Sequence, residues 1–278
     1  MIRDEDIKSG IDYSAGQKEA AHRILVELVN IFKEYEEDIR IVGGWVPDLM
    51  FPGEGHIGSV DVDVLINHLT LHDEGYQNMA RILQHSGYRE HPDKYFSFVK
   101  TVTVEGIPYS VDVDILAGMY GGTQPKKRSQ HVQGIKALKA TGGNFAFDFP
   151  PQKIQIEAKR PDGACDVVNV SVIAVIPYLI MKTAAMGRGK AKDAYDIYFL
   201  LKHYHGGVRK LARELEPVEN RKLVKEMKGK LAEKFASADH AGPRDVVDFL
   251  GLDDDEDMEL IKRDAYEQVQ ALLNFRDL

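Results

Sequence analysis

Hydrophobic residues recur along this chain with two different periods, a strand-like period of two in the first part and a helical period in the second. Val alternates with Asp at 60–64 and again at 111–115, which predicts two half-buried strands. From residue 173 onward the apolar residues lie three and four positions apart, as in amphipathic helices. The pattern predicts an α+β fold, with a mixed β-sheet flanked by helices at residues 1–172 and a helical domain at residues 173–278.

Individual elements follow from the same periods and from the Gly and Pro residues between them. In the first part the pattern predicts helices at 14–35, 45–50 and 73–86, and strands at 39–42, 60–66, 95–104, 109–116, 154–157 and 166–170. In the second part it predicts helices at 173–186, 191–204, 208–215, 218–236, 243–250 and 257–275. The segment from Gly118 to Gly143 is rich in Gly, Gln, Thr and Lys and contains no acidic residue, so it is expected to be a basic, loop-rich insertion.

Composition narrows the class of protein. The 278 residues include a single cysteine, Cys165, which excludes a disulfide scaffold and a thiolate zinc cluster. No apolar run is long enough for a membrane helix and the chain starts with charged residues, so we expect a cytoplasmic protein with no membrane partner. The formal net charge of −8 argues against a surface coated by nucleic acid, but it leaves room for a local basic patch or a metal bridge to a polyanion.

Two D-x-D pairs are the strongest chemical signal in the sequence. Asp61 and Asp63 lie on one face of a strand, roughly 7 Å apart along the backbone, and Asp112 and Asp114 repeat the arrangement. Paired carboxylates on otherwise apolar strands repel each other, and a bound divalent cation compensates for that repulsion. Oxygen ligands favour Mg²⁺ or Mn²⁺, ions that commonly take substrate phosphates as further ligands. The sequence therefore predicts metal-dependent phosphoryl chemistry.

A glycine pair, Gly43-Gly44, lies between the first predicted strand and a short helix. Without a Cβ atom at either position, the backbone can approach a triphosphate closely and direct N–H groups at it. A glycine turn that only connects the two elements is the alternative interpretation.

The order of these motifs resembles the nucleotidyltransferase fold of the polymerase-beta type: a Gly-Gly turn, a D-x-D strand and a third acid on a neighbouring strand. The later segment KTAAMGRGKAKDAYDI, at 182–197, resembles the Lys, Arg, Lys-Asp-x-x-Asp signature of the AbiEii-like branch, which includes toxins of bacterial type IV toxin-antitoxin systems.

The resemblance implies a role for each matching residue. Asp61 and Asp63 would bind metal, with Asp112 or Asp114 as the third carboxylate and base for the acceptor hydroxyl; Asp112 is the first choice because Val flanks it on both sides. The residues implied in triphosphate binding are Gly43, Gly44, Ser59 and Arg188. Lys182 would neutralise phosphate charge in the transition state, and Asp193 or Asp196 would orient it or a metal.

The resulting hypothesis is an enzyme that moves a nucleotidyl group from an NTP to an acceptor hydroxyl. The AbiEii-like branch implies an RNA acceptor such as the tRNA 3′ end, together with an antitoxin partner. A small-molecule acceptor such as an aminoglycoside is the second enzymatic hypothesis. A non-catalytic nucleotide-binding module and a D-x-D glycosyltransferase are the further alternatives. One departure from the family pattern is Ile57, with His56 beside it, where relatives often carry Arg.

Overall fold

The structure is a computed structural model, and it describes residues 9–10, 14–70, 79–118, 129–132 and 135–274. The chain divides into two compact units. The first, called the sheet unit below, comprises Ser14–Met50 and Gly58–Tyr178. The second, called the helical unit, comprises Phe51–Ile57 and the chain from Leu179 onward. The segment 51–57 thus belongs to the helical unit, although it lies between two elements of the sheet unit in the sequence.

The sheet unit is an α+β structure built on one mixed sheet, as the sequence pattern predicts. In the described residues its helices are α1 (Ala15–Ile31), α2 (Trp45–Met50) and α3 (Met79–His85). Its strands are β1 (Ile39–Val42), β2 (Val62–Ile66), β3 (Arg89–Glu90), β4 (Ser97–Val104), β5 (Ile107–Gly118), β6 (Ser129–Val132), β7 (Ile135–Ala140), β8 (Gln152–Lys159) and β9 (Cys165–Val172). The main strand order is β3-β4-β5-β2-β1-β9-β8, and β7 pairs with both β5 and β6.

Strands β2 and β5 lie side by side in the middle of this sheet and run parallel, with Val62 opposite Val113. On both strands the Val residues of the alternating pattern are fully buried and the Asp residues lie on the other, less buried face. Helix α1 packs against the sheet through apolar residues at helical spacing, Ala20, Ala21, Ile24, Leu25 and Leu28. Ser14 caps α1 by accepting a hydrogen bond from the Gln17 N–H at 3.1 Å.

The helical unit contains, among the described residues, helices α4 to α9. Their bounds are Val175–Ala185, Ala191–His203, Gly207–Leu215, Lys222–Lys234, Ala241–Leu250 and Asp255–Leu273, and α4 begins in the sheet unit. Helix α5 is the centre of this unit, with all residues from Asp193 to Leu201 buried. It packs against α8 and α9 as well as α6. None of the described helices is long and apolar enough to cross a membrane.

The structure differs from the sequence pattern in the Gly118–Gly143 segment. Two strands, β6 and β7, occur where a loop-rich insertion is expected, because β7 extends the sheet by pairing with the end of β5 and buries Ala137 there. The short strand β3, which pairs with β4, is also missing from the sequence-based assignment. The basic residues at 126–128 and the first part of the helix expected at 73–86 lie outside the described residues.

Candidate active site

Two of the predicted metal ligands lie at the start of strand β2. Asp61 directly precedes the strand and Asp63 is its second residue, and both are partly exposed, whereas Val62 and Val64 between and after them are fully buried. The two carboxylates therefore share the face of the sheet that is not filled by the apolar core.

Asp114 on β5 is the register partner of Asp63. Burial, followed by the negative charge of Asp61, raises the pKa of Asp114 to about 7, although a hydrogen bond from Ser97 and the charge of Lys94 act in the opposite direction. Its Oδ1 atom is buried and has no hydrogen-bond partner among the described atoms. A buried carboxylate oxygen without a partner, beside a second carboxylate, is a site that a cation would satisfy.

Asp112 has different surroundings, although it lies on the same face of β5. Its Oδ2 atom accepts a hydrogen bond from Lys94 Nζ at 3.0 Å, and His91 Nε2 lies 3.8 Å from the same oxygen. Both partners belong to the loop between β3 and β4. The charge of Asp112 is therefore already matched by a lysine of the chain itself, whereas Asp114 is left with its unpaired oxygen.

Two further groups fix the position of Asp61. Ser59 Oγ donates a hydrogen bond to Asp61 Oδ1 at 2.5 Å, and Trp45 Nε1 donates to the Asp61 carbonyl at 2.8 Å. Trp45 is itself buried and stacks on His22, with ring centroids 5.3 Å apart. Ser59, implied by the resemblance as a triphosphate ligand, thus holds a carboxylate in place in this structure.

The glycine turn lies directly against Asp63. Gly43 follows β1 and has a φ of +71°, a left-handed conformation that favours glycine. A Cβ atom at this position would lie 1.8 Å from Asp63 Oδ2. The missing side chain therefore makes room for the Asp63 carboxylate, which is a reason for glycine independent of phosphate binding. Gly44, next to it, precedes α2.

The Lys-Asp segment forms a separate cluster in the helical unit. Lys182 on α4 lies 2.9 Å from Asp193 and 2.7 Å from Asp196, both on α5. Lys192 binds Asp196 at 2.9 Å, and Arg188, with 61% of its side chain exposed, lies 3.6 Å from Asp193.

Asp196 is the centre of that cluster and is fully buried. Burial alone would raise its pKa, but Lys182, Lys192 and a hydrogen bond with His56 outweigh this effect and hold the pKa far below its usual range. His56 Nε2 lies 3.0 Å from Asp196 Oδ1, and its ring stacks on Tyr195. The resemblance alone would not have identified His56 as a member of this cluster.

The residues that sequence reasoning missed are His91, Lys94 and His56. His91 and Lys94 are brought to Asp112 by the antiparallel pairing of β4 with β5, in which Val99 is opposite Asp112. His56 reaches Asp196 because residues 51–57 belong to the helical unit. No local pattern signals such contacts, since the partners are far apart in the sequence.

The sheet surface that carries Asp61, Asp63 and Asp114, called the carboxylate face below, can be tested for its fit to a divalent cation. Within the described ranges, no three His, Cys, Asp or Glu side chains already converge as a set of metal ligands. The chemistry of the donors nevertheless suits Mg²⁺ or Mn²⁺, because Asp61, Asp63 and Asp114 supply only oxygen atoms and, in the part of the chain that the structure describes, Asp114 Oδ1 has no hydrogen-bond partner. The three residues fit the ion in donor type and charge.

Comparison with protein-family models, with curated proteins and with solved structures gives no match. The function is therefore inferred from the geometry of the two sites and from the motifs in the sequence.

Proposed function

We propose that this protein is a nucleotidyltransferase that uses Mg²⁺ or Mn²⁺ to move a nucleotidyl group from an NTP to an acceptor hydroxyl. The observation that carries the proposal is the arrangement of Asp61, Asp63 and Asp114 at two adjacent parallel strands, with a buried Asp114 oxygen that has no hydrogen-bond partner among the described residues. This arrangement supports the nucleotidyltransferase type of core within the α+β fold, because three carboxylates suffice to hold two metal ions.

Asp114 is preferred to Asp112 as the third carboxylate. Asp114 lies opposite Asp63 and acts electrostatically on Asp61, whereas Asp112 is bound by Lys94. A carboxylate that is already paired with a lysine loses that ion pair before it can bind a metal, so it is the weaker ligand. The two acids that the sequence left open are thereby given different roles in the proposal.

The reaction would break one P–O bond and form another. The acceptor oxygen attacks the α-phosphorus, the bond to the bridging oxygen breaks, and pyrophosphate leaves with the electron pair of that bond. The hydroxyl proton passes to a carboxylate of β5. Bound divalent ions would lower the pKa of the attacking hydroxyl and stabilise the charge on the leaving pyrophosphate.

The chain's own residues prepare the site for this step. Ser59 and Trp45 hold Asp61, and Gly43 leaves space for Asp63, so the carboxylates are oriented before substrate binds. Gly44 is the residue of the turn whose backbone we assign to the triphosphate. The roles of Lys182 and Arg188 in phosphate binding, of Asp193 and Asp196 in orienting Lys182 or a metal, and of an antitoxin partner stay predictions of the resemblance. The cytoplasmic location stays a prediction from the hydropathy of the sequence.

The experiment is transfer of α-³²P label from each NTP, with Mg²⁺, to total tRNA, to a panel of aminoglycosides and to the protein itself. We expect label transfer by the wild type and a loss of at least about a hundredfold in Asp61→Asn and Asp114→Asn. Asp162→Asn, in the turn between β8 and β9, is the matched control and should keep full activity. Absence of transfer to every acceptor, with NTP binding retained, would favour the non-catalytic nucleotide-binding module instead.

A further inference from the structure

The order of the strands gives the carboxylate face two different sides. Along β4-β5-β2-β1, the glycine turn follows β1 at one side of the acids, and the loop between β3 and β4 lies at the other. The first side is where the proposed function puts the triphosphate. An acceptor hydroxyl that attacks in line, opposite the leaving pyrophosphate, then approaches from the side of β4 and β5.

The β3–β4 loop, residues 91–96, is held in a defined conformation. The His91 N–H donates to the Ser97 carbonyl at 2.9 Å, and the Ser97 N–H donates to the Lys94 carbonyl at 3.1 Å. The His91 Nδ1 atom accepts hydrogen bonds from the N–H groups of Asp93 and Lys94, both at 3.1 Å. Because Nδ1 is the acceptor, the ring carries its proton on Nε2, the atom that faces Asp112.

This loop presents a cation, an N–H donor and an aromatic ring next to one another. Lys94 Nζ and His91 Nε2 share the same oxygen of Asp112, at 3.0 Å and 3.8 Å. Tyr95, the next residue, keeps 45% of its surface exposed, an unusual exposure among the aromatic residues that the structure describes. Proteins that bind single-stranded nucleic acids combine a cation, which contacts a phosphate, with an exposed aromatic ring, on which a base stacks.

We infer that the β3–β4 loop binds the acceptor, a single-stranded polynucleotide. Tyr95 stacks on a base, and Lys94, which its ion pair with Asp112 holds in place, contacts a phosphate together with His91 Nε2. This inference rests on the proposed nucleotidyl transfer, and it adds residues outside the carboxylate, glycine and Lys-Asp motifs.

The test measures RNA binding separately from catalysis. A short single-stranded RNA with a free 3′ hydroxyl and a 5′ fluorescein is titrated with the full-length protein in Mg²⁺, and anisotropy gives the Kd. We expect Lys94→Ala and Tyr95→Ala each to raise the Kd about tenfold. Tyr95→Phe, which keeps the ring, should bind like the wild type. The controls Lys159→Ala and Val167→Ala replace exposed residues of β8 and β9 and should have no effect.

The salt dependence distinguishes the two contacts. Lys94→Ala should reduce the slope of log Kd against log salt concentration by about 0.7, because one phosphate contact is lost. Tyr95→Ala should leave that slope unchanged, because stacking releases no counterion. Thermal unfolding of each variant verifies that the fold is intact.

Equal RNA affinity of the wild type, Lys94→Ala and Tyr95→Ala would overturn the inference. So would transfer of label to an aminoglycoside by a wild type that does not bind RNA. The proposed function fails separately: if RNA binding depends on Lys94 and Tyr95 but no label reaches any acceptor, the loop is an RNA site and the transfer reaction is wrong.

Discussion

Gly43 and Asp63 are packed so closely that a Cβ atom on the glycine would lie 1.8 Å from Asp63 Oδ2. The glycine turn and the Asp63 carboxylate are therefore one structural feature, since the carboxylate occupies the space that any side chain at position 43 would need. Gly43 also has a left-handed φ, which costs an L-residue roughly 1–2 kcal/mol.

Replacing this glycine should damage the site more than the fold. In Gly43→Ala we expect the Asp63 carboxylate to be displaced and label transfer to fall by at least about a hundredfold. Gly163→Ala is the control: Gly163 has a φ of +86°, and no described atom lies within 4 Å of its Cβ position. Both variants should lose stability in urea from the positive φ, and Gly43→Ala should lose more because its Cβ also displaces Asp63, but only Gly43→Ala should lose activity. Full activity of Gly43→Ala would contradict the packing argument.

Asp114 gives a pH dependence of stability with a defined sign. Its pKa is about 7 in the folded protein against an ordinary value of 3.8, so the folded state binds the proton more tightly than the unfolded state. Without metal, stability should therefore fall as the pH rises from about 4 to about 7, by up to about 4 kcal/mol.

The variant Asp114→Asn should remove this pH dependence, because the amide does not ionise. In EDTA at pH 8 it should be more stable than the wild type, and at pH 4 the two should be alike. Saturating Mg²⁺ should reverse the order at pH 8, since only the wild type gains by binding the ion. Urea unfolding across this pH range is the measurement. A variant less stable than the wild type at pH 8 in EDTA would show that Asp114 is not under electrostatic strain.

Ser59 is predicted to act through Asp61. Its hydroxyl donates a hydrogen bond to Asp61 Oδ1. Without this bond, in Ser59→Ala, the Asp61 carboxylate group can rotate, and label transfer should fall by about tenfold to a hundredfold. Ser171→Ala is a matched control, since Ser171 is also a buried serine of the sheet unit and its Oγ atom has no hydrogen-bond partner among the described atoms. We expect that control to keep its activity, and an equal loss in both variants would point to general damage of the unit.

The helical unit depends on Asp196 for stability. This fully buried carboxylate is 2.7 Å from Lys182 and 2.9 Å from Lys192, and Asp196→Asn leaves both cations without its charge. We expect a loss of about 3–5 kcal/mol in urea unfolding at pH 7. The control is Asp248→Asn, an exposed position on α8, where less than about 0.5 kcal/mol should be lost.

The sign of the pH effect at Asp196 is opposite to that at Asp114. The folded-state pKa is lowered, so the stabilisation is present above the ordinary carboxyl pKa and is lost as the pH falls below it. The stability difference between the wild type and Asp196→Asn should therefore shrink in acid. A difference that stays constant from pH 7 to acid would mean that the ion pairs are not its source.

Much of the fold follows from periodicity alone. The alternating Val and Asp residues predict β2 and β5, and the helical spacing after Ser14 predicts α1, because one strongly apolar face leaves few other ways to bury these residues. Strands β6 and β7 were not predicted because their stability comes from pairing with each other and with the end of β5, and a sequence window contains no information about a distant partner.

The candidate site, too, depends on contacts between residues that are distant in the sequence. The sequence predicts both acid pairs as candidate metal ligands, but the choice between Asp112 and Asp114 depends on the register of β5 against both neighbours. That register puts Asp63 beside Asp114 and lets Lys94 reach Asp112. Both contacts are long-range in the sequence, so no local motif distinguishes the two acids.

Binding of Mn²⁺, followed by the electron paramagnetic resonance signal of the free ion, addresses the proposed metal site without any assumption about the acceptor. We predict that the wild type binds Mn²⁺, that Asp61→Asn and Asp114→Asn bind it at least about tenfold more weakly, and that Asp112→Asn retains most of the affinity. Equal Mn²⁺ binding by the wild type, Asp61→Asn and Asp114→Asn, or no binding by the wild type, would contradict the assignment of these carboxylates as a metal site.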